Sequence, residues 1–167
     1  MKAMGTAMGI PIVIERQIQL RSATNSDAQC VADILLASRA TFLPYAPSPH
    51  TEVENRAWVR EVLLPAGGVT LACNGEQICG VLAVSQAEGV SWIDQLYLDP
   101  KLVGQGIGNI LLQHALQTLA RPIRLYTFQA NTGARRFYER NGFRVLEMTD
   151  GQGNEEQCPD VLYELSQ

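Results

Sequence analysis

At 167 residues, 46% of them apolar, and with a formal net charge of −4, the chain has enough material for one packed domain and too little for two. Its 13 basic residues are spread without a basic run, which argues against a nucleic-acid surface, and no stretch approaches the ~20 apolar residues of a membrane span. Cys30, Cys73, Cys79 and Cys158 form no Cys-x-x-Cys pair and have no neighbouring histidine, so no metal is expected and they read as reduced thiols of a cytoplasmic protein.

Residues 1–16 hold an apolar stretch from Ala7 to Ile14 that Gly9 and Pro11 interrupt. It lacks the firm basic start, longer apolar run and cleavage site of a secretory signal, so it is expected to be a loosely ordered extension ahead of a domain spanning 17–167. Ile18 to Arg21 alternates like a half-buried strand, and Thr24-x-x-Asp27 resembles a capping box opening a helix from about Asn25 to Ser38. Pro44, Pro47 and Pro49 forbid a continuous helix through the next segment. Thr51-x-x-Glu54 opens a second helix, with Trp58, Val59, Val62 and Leu63 toward a core and Pro65 as its stop.

Val69–Cys73, Gln77–Ser85 and Val90–Leu98 read as successive strands of an antiparallel meander, joined at Asn74-Gly75 and Glu88-Gly89. A two-residue turn at Asn74-Gly75 would set Cys73 opposite Glu76 and Cys79 opposite Thr70, separating the two sulfurs. The third strand, leading into a glycine-rich loop, is the candidate for the centre of the sheet. Beyond that loop, Ile107, Ile110, Leu111, Ala115, Leu116 and Leu119 fall on one helical face. Pro122 blocks continuation, and Ile123–Phe128 reads as a strand parallel to the one before the helix. Asn131 can cap a further helix with Ala134, Phe137 and Tyr138 as its apolar stripe, and Asn141-Gly142 stops it. Phe143–Met148 and Asp160–Leu165 complete the strands.

The loop Val103-Gly104-Gln105-Gly106-Ile107-Gly108 carries the first chemistry. Glycines before a helix start let backbone amides converge on an anion, where the helix dipole also favours negative charge. A Walker loop fails because Gly108 is followed by Asn109-Ile110 rather than Lys and Ser or Thr, and a dinucleotide fingerprint fails because Asn109 stands where its third glycine belongs. What survives is a pyrophosphate cradle. Its spacing resembles the Gln/Arg-x-x-Gly-x-Gly/Ala loop of the GCN5-related N-acetyltransferase (GNAT) superfamily, with valine at the first position. The stretch Asn131-x-x-Ala134-x-x-Phe137-Tyr138-Glu139-x-Asn141-Gly142-Phe143 is similar to a second segment of the same family.

The resemblance implies a single α/β (α+β) domain: a mixed, mostly antiparallel, twisted sheet of six to seven strands flanked by about four helices. It implies acetyl-CoA as co-substrate and acetyl transfer to a primary amine of a small molecule or peptide. The site residues it implies are Val103, Gly104, Gln105, Gly106, Ile107 and Gly108 for the pyrophosphate, and Leu96, Tyr97 and Leu98 on a splayed strand for the pantetheine and thioester oxygen. Asn131 would bond the pantetheine arm with Phe137 beside it, and Tyr138 would be the proton donor to the CoA sulfur. Asp94, an even number of residues from Leu96 and Leu98, is expected on their face as a base acting directly or through water. The family's acceptor side would lie near Phe42, Tyr45, His50 and Trp58. The carboxylates Asp150, Glu155, Glu156 and Asp160 would favour a cationic amine there, although a solvated hairpin loop is the simpler account of them. No nucleic acid, membrane or metal partner is expected, and an exposed last-strand edge allows a homodimer. The alternative is an acyl-CoA-binding sensor or docking module of the same fold without turnover.

Overall fold

A computed structural model describes residues 17–167, so the expected extension at 1–16 lies outside the described residues. In chain order the elements are β1 (Ile18–Ser22), α1 (Ala28–Phe42), α2 (Glu52–Trp58), α3 (Leu64–Ala66), β2 (Val69–Asn74), β3 (Gln77–Ala87), β4 (Val90–Leu98), α4 (Ile107–Thr118), β5 (Ile123–Phe128), α5 (Thr132–Arg140), β6 (Arg144–Met148) and β7 (Asp160–Leu165). α2 and α3 run together through a π turn at Val59–Leu63, giving four helical bodies against one seven-stranded sheet ordered β1-β2-β3-β4-β5-β7-β6. β4 is central, and its pairing with β5 is the parallel one. Among the described residues no helix is long and apolar enough to cross a membrane.

Both expected capping boxes form. The Thr24 amide donates to Asp27 Oδ2 at 2.8 Å, while the Arg21 guanidinium grips the same carboxylate with two bonds of 2.8 Å. That pairing holds the Asp27 carboxyl well below the usual carboxylate range. At α2 the Thr51 amide donates to Glu54 Oε2 at 2.7 Å, and the Glu54 amide returns a bond to Thr51 Oγ1.

The sheet separates two cores. Leu71, Cys73, Val81 and Ala83 pack against Val31, Val59 and Leu63 of the α1 and α2 side. Ala72, Cys79, Leu82 and Ile93 pack against Leu111, Leu112 and Tyr138 of the α4 and α5 side. Cys73 and Cys79 therefore sit in different cores, and all four cysteines are free thiols. Gly80 lets the layers meet closely, because a Cβ there would lie 2.7 Å from a Leu98 methyl and 2.9 Å from a Leu111 methyl and would force both to shift.

Several sequence expectations shift. The β2–β3 turn falls on Gly75-Glu76, one residue later than expected, so Asn74 pairs with Gln77 and Cys73 with Ile78. Gly75 takes a φ of +60°, which suits the first central position of a tight hairpin turn. The π turn adds a residue to the helical path and rotates the face presented beyond it, so Val62 is exposed while Val59 and Leu63 stay buried. On α4 the buried face takes Leu112 and leaves Ile110 exposed. The last strand is no edge: β7 lies between β5 and β6, and β6 forms the border, with Val145, Leu146 and Met148 exposed.

Candidate functional site

The site begins where the ladder fails. β4 and β5 pair only at Ser91 with Ile123 and at Trp92 with Arg124, whereas β5 continues against β7 through Phe128. Beyond Trp92, β4 keeps its β3 partners on one side, the bulged Asp94 excepted, and loses β5 on the other. Trp92 stacks on Tyr126 at 5.8 Å near the point of divergence. Beyond it opens a cavity of about 550 Å³, walled by Leu96, Tyr97 and Leu98 on one side and by Asn131, Gly133, Ala134, Phe137 and Tyr138 on the other. Backbone amides facing such a gap have no strand to bond, so they can serve a ligand.

One end of this cavity is the glycine loop. Gly104 and Gly106 adopt φ of +81° and +84°, and a Cβ on either would meet nothing, so conformation rather than space selects glycine there. Gly106 is the residue at which the chain turns into α4, and the first helical bond runs from the Ile110 amide to its carbonyl at 3.1 Å. The amides of Ile107, Gly108 and Asn109 precede that bond and form the positive end of the helix dipole. A Cβ on Gly108 would project between Leu98 and Phe137 at 3.5–3.7 Å, so its absence widens the cavity. Val103 is exposed at the loop's first position and contributes apolar surface only.

Tyr138 lies at the inner wall, 8% exposed, with Phe137 at 5.2 Å and Phe143 at 5.7 Å between ring centres. Among the described residues no buried side-chain polar atom lacks a partner, and the Tyr138 hydroxyl makes no protein bond, so it opens into the cavity. Burial, helped by the neighbouring Tyr97, pushes its phenol well above the ordinary value and keeps it protonated. Asn131 caps α5 through Oδ1, which accepts from the Ala134 amide at 3.1 Å, and its amide group still borders the cavity.

Asp94 does not join them. It is the extra residue of a β-bulge, since Ala83 pairs with Gln95 and Val84 with Ile93. The bulge breaks the period of two: Ile93, Leu96 and Leu98 all pack on the α4 side despite the odd step, and Asp94 stands beside Ser85, outside the walls of either cavity described here. Partial burial shifts its carboxyl upward, with a hydrogen bond from the Ser85 hydroxyl opposing.

A second cavity of about 400 Å³ lies across β4, between α1, α2 and the loop joining β6 to β7. Of the residues expected near an acceptor, His50 and Trp58 line it, Phe42 lines the first cavity instead, and Tyr45 packs edge-on against Phe128. The acidic loop divides. Glu155 reaches His50 Nε2 at 3.2 Å and Glu156 reaches Arg39 at 3.4 Å, both on the cavity wall. Asp160 is buried in the loop's own framework, accepting from Asn154 Nδ2 at 2.9 Å and from Thr149. Asp150 accepts from the Gln152 amide. Arg39, Glu54, Asn55, Gln95 and the Tyr97 side chain complete the wall, and sequence spacing gave no signal for any of them. It also missed Arg140, the one charged residue bordering the first cavity among the described residues.

The arrangement suits an acyl-CoA: a glycine track with free helix-start amides, an apolar channel along an unpaired strand, and a phenol at its inner end. Comparisons with known proteins agree. The model of the acetyltransferase (GNAT) family matches residues 33–143. A stretch of 53 residues is 45% identical to the peptidyl-lysine N-acetyltransferase YjaB of Salmonella typhimurium, covering 32% of this chain and 36% of that protein's length. The solution structure of apo YjaB from Escherichia coli superimposes with a TM-score of 0.72 at 23% identity, covering 89% of this chain and 97% of that one. The PaiA N-acetyltransferase of Thermoplasma acidophilum, crystallised with coenzyme A, gives 0.70 at 22% identity over 90% and 99% of the two chains.

Proposed function

The chain belongs to the acetyltransferase (GNAT) family, and on that premise we propose that it is an acetyl-CoA-dependent N-acetyltransferase acting on a primary amine of a peptide or small molecule. In the reaction the amine nitrogen bonds to the thioester carbonyl carbon, the carbon–sulfur bond breaks, the amine gives up a proton and the thiolate gains one. The observation that carries the reading is the gap between β4 and β5 with the glycine loop at one end and the Tyr138 hydroxyl opening into it.

Within it, the amides of 103–108 and the start of α4 hold the pyrophosphate, with Arg140 adding a positive charge at the border. The unpaired edge at Leu96–Leu98 carries the pantetheine and polarises the carbonyl, with Asn131 and Phe137 across the channel. Tyr138 supplies the thiolate's proton. Its raised pKa does not forbid this, because the same dry wall destabilises a bare thiolate and raises the thiol's pKa in parallel. Asp94 has no contact with either cavity, and a water path to solvent is the role left to it. The PaiA complex with coenzyme A and the YjaB peptidyl-lysine activity support the donor and an amine acceptor by analogy.

Four free thiols support a reducing, cytoplasmic setting for a domain at 17–167, and the apolar border strand β6 supports a homodimer as the assembly to test. Release of CoA thiol with a panel of amines, together with a rise in melting temperature at millimolar acetyl-CoA, tests the reading. No rise would sink it. A rise without thiol release across α-amine and ε-amine peptides would favour the acyl-CoA-binding module, a reading that Asp94's remoteness and the apolar Val103 both motivate.

A further inference from the structure

The two cavities share one residue. Among the described residues Tyr97 alone borders both, so any acceptor that reaches from the charged cavity to the donor channel passes it. Its direction is set by the bulge at Asp94. With unbroken alternation from Ile93, Tyr97 would face the α4 side, but the extra residue turns it into the α1 and α2 core and leaves Leu96 and Leu98 on the other face.

The charged wall beside the phenol is fixed from outside the strand. Arg39 of α1 lines the same cavity as Tyr97, and Glu156 of the β6–β7 loop, also on that wall, pairs with Arg39 at 3.4 Å across 117 residues of sequence. Arg39 is held in turn by the Pro47 carbonyl at 3.2 Å. Burial keeps the phenol neutral, so its oxygen can accept a hydrogen bond from an amine without adding charge to the passage.

We propose that Tyr97 is the acceptor-positioning residue, its phenol set beside the Arg39–Glu156 pair so that an amine arriving from the charged cavity is held at the donor channel. This rests on the acetyl-transfer reading above. The oxygen accepts from one amine N–H, which turns the nitrogen lone pair toward the channel, and Tyr138 works at the far side of the same passage.

The test is calorimetric binding of two probes: CoA itself, and a bisubstrate in which the CoA sulfur is joined through an acetyl group to the ε-amine of Nα-acetyl-lysinamide. Wild type should bind the bisubstrate more tightly than CoA. Tyr97→Phe should weaken the bisubstrate by about tenfold and leave CoA within about twofold. Glu156→Gln, which removes the charge paired with Arg39 on the cavity wall, should weaken only the bisubstrate, by about threefold. Tyr97→Phe binding both probes as wild type does, or losing both equally, would overturn the inference. So would a wild type that binds the bisubstrate no better than CoA. Failure of CoA itself to bind would instead overturn the donor reading, and this inference with it.

Discussion

The two cavities, proposed as donor channel and acceptor cavity, lie on either side of one strand and are built from opposite materials. The channel is made of backbone and apolar surface: two left-handed glycines, a helix start, an unpaired strand edge and aromatic rings, with Arg140 its one charged neighbour among the described residues. The cavity is made of side-chain charge: Arg39, His50, Glu54, Glu155 and Glu156, brought together from α1, the α1–α2 connection, α2 and a distant loop. Backbone recognition needs a local run of sequence and tolerates changes in side chains, so the proposed pyrophosphate role of the loop is compatible with valine at position 103. Recognition by paired side chains needs long-range placement, and it can change while the fold does not.

If the channel is where bonds are made and broken, Tyr138→Phe should cut kcat by about 100-fold with the KM for acetyl-CoA little changed, measured by thiol release. An equal loss in KM would make Tyr138 a packing residue and blur the contrast. Asp27→Asn tests the scaffold that both sides share, since α1 carries Ser38 to one wall and Arg39 to the other. It should cost about 2 kcal/mol through loss of a part-buried ion pair and a helix cap. The folded pKa of Asp27 lies below its unfolded value, so its contribution is full above the unfolded pKa of ~4 and fades as pH falls further. Denaturant midpoints of wild type and variant should therefore differ steadily at neutral pH and converge in acid.

Gly106→Val forces a β-branched side chain into a φ of +84° and should weaken acetyl-CoA binding by about tenfold without touching the acceptor cavity. Titration calorimetry would show it, and an unchanged affinity would remove the loop from the donor site. The smallest effect belongs to Glu155→Gln. Its partner His50 is half-exposed and Glu155 itself more so, so the stability change should stay within about 0.5 kcal/mol and any shift should fall on the acceptor KM alone.

Much of the channel was readable in the sequence because its parts are contiguous. The glycines and the Asn131–Phe143 segment each lie within a few turns of chain, and both capping boxes, the β4 position and the parallel step to β5 were marked by local signals. What failed were single-residue irregularities that composition does not mark. The bulge at Asp94 moved that carboxylate away from Leu96 and Leu98 and turned Tyr97 toward the acceptor side. The bulge at Cys79 and the π turn at Val59–Leu63 shifted register and face in the same way. The acceptor wall was unreadable for a different reason: Arg39 and Glu156 meet across 117 residues of sequence, a contact without a local signature.

Backbone amide shifts recorded during titration with acetyl-CoA test the division most directly. Gly104, Gly106, Gly108 and Leu96–Leu98 should move together, while Glu155, Asn55 and Trp58 of the second cavity stay near their starting positions. Shifts concentrated on the acceptor cavity, with the glycine loop unmoved, would contradict it.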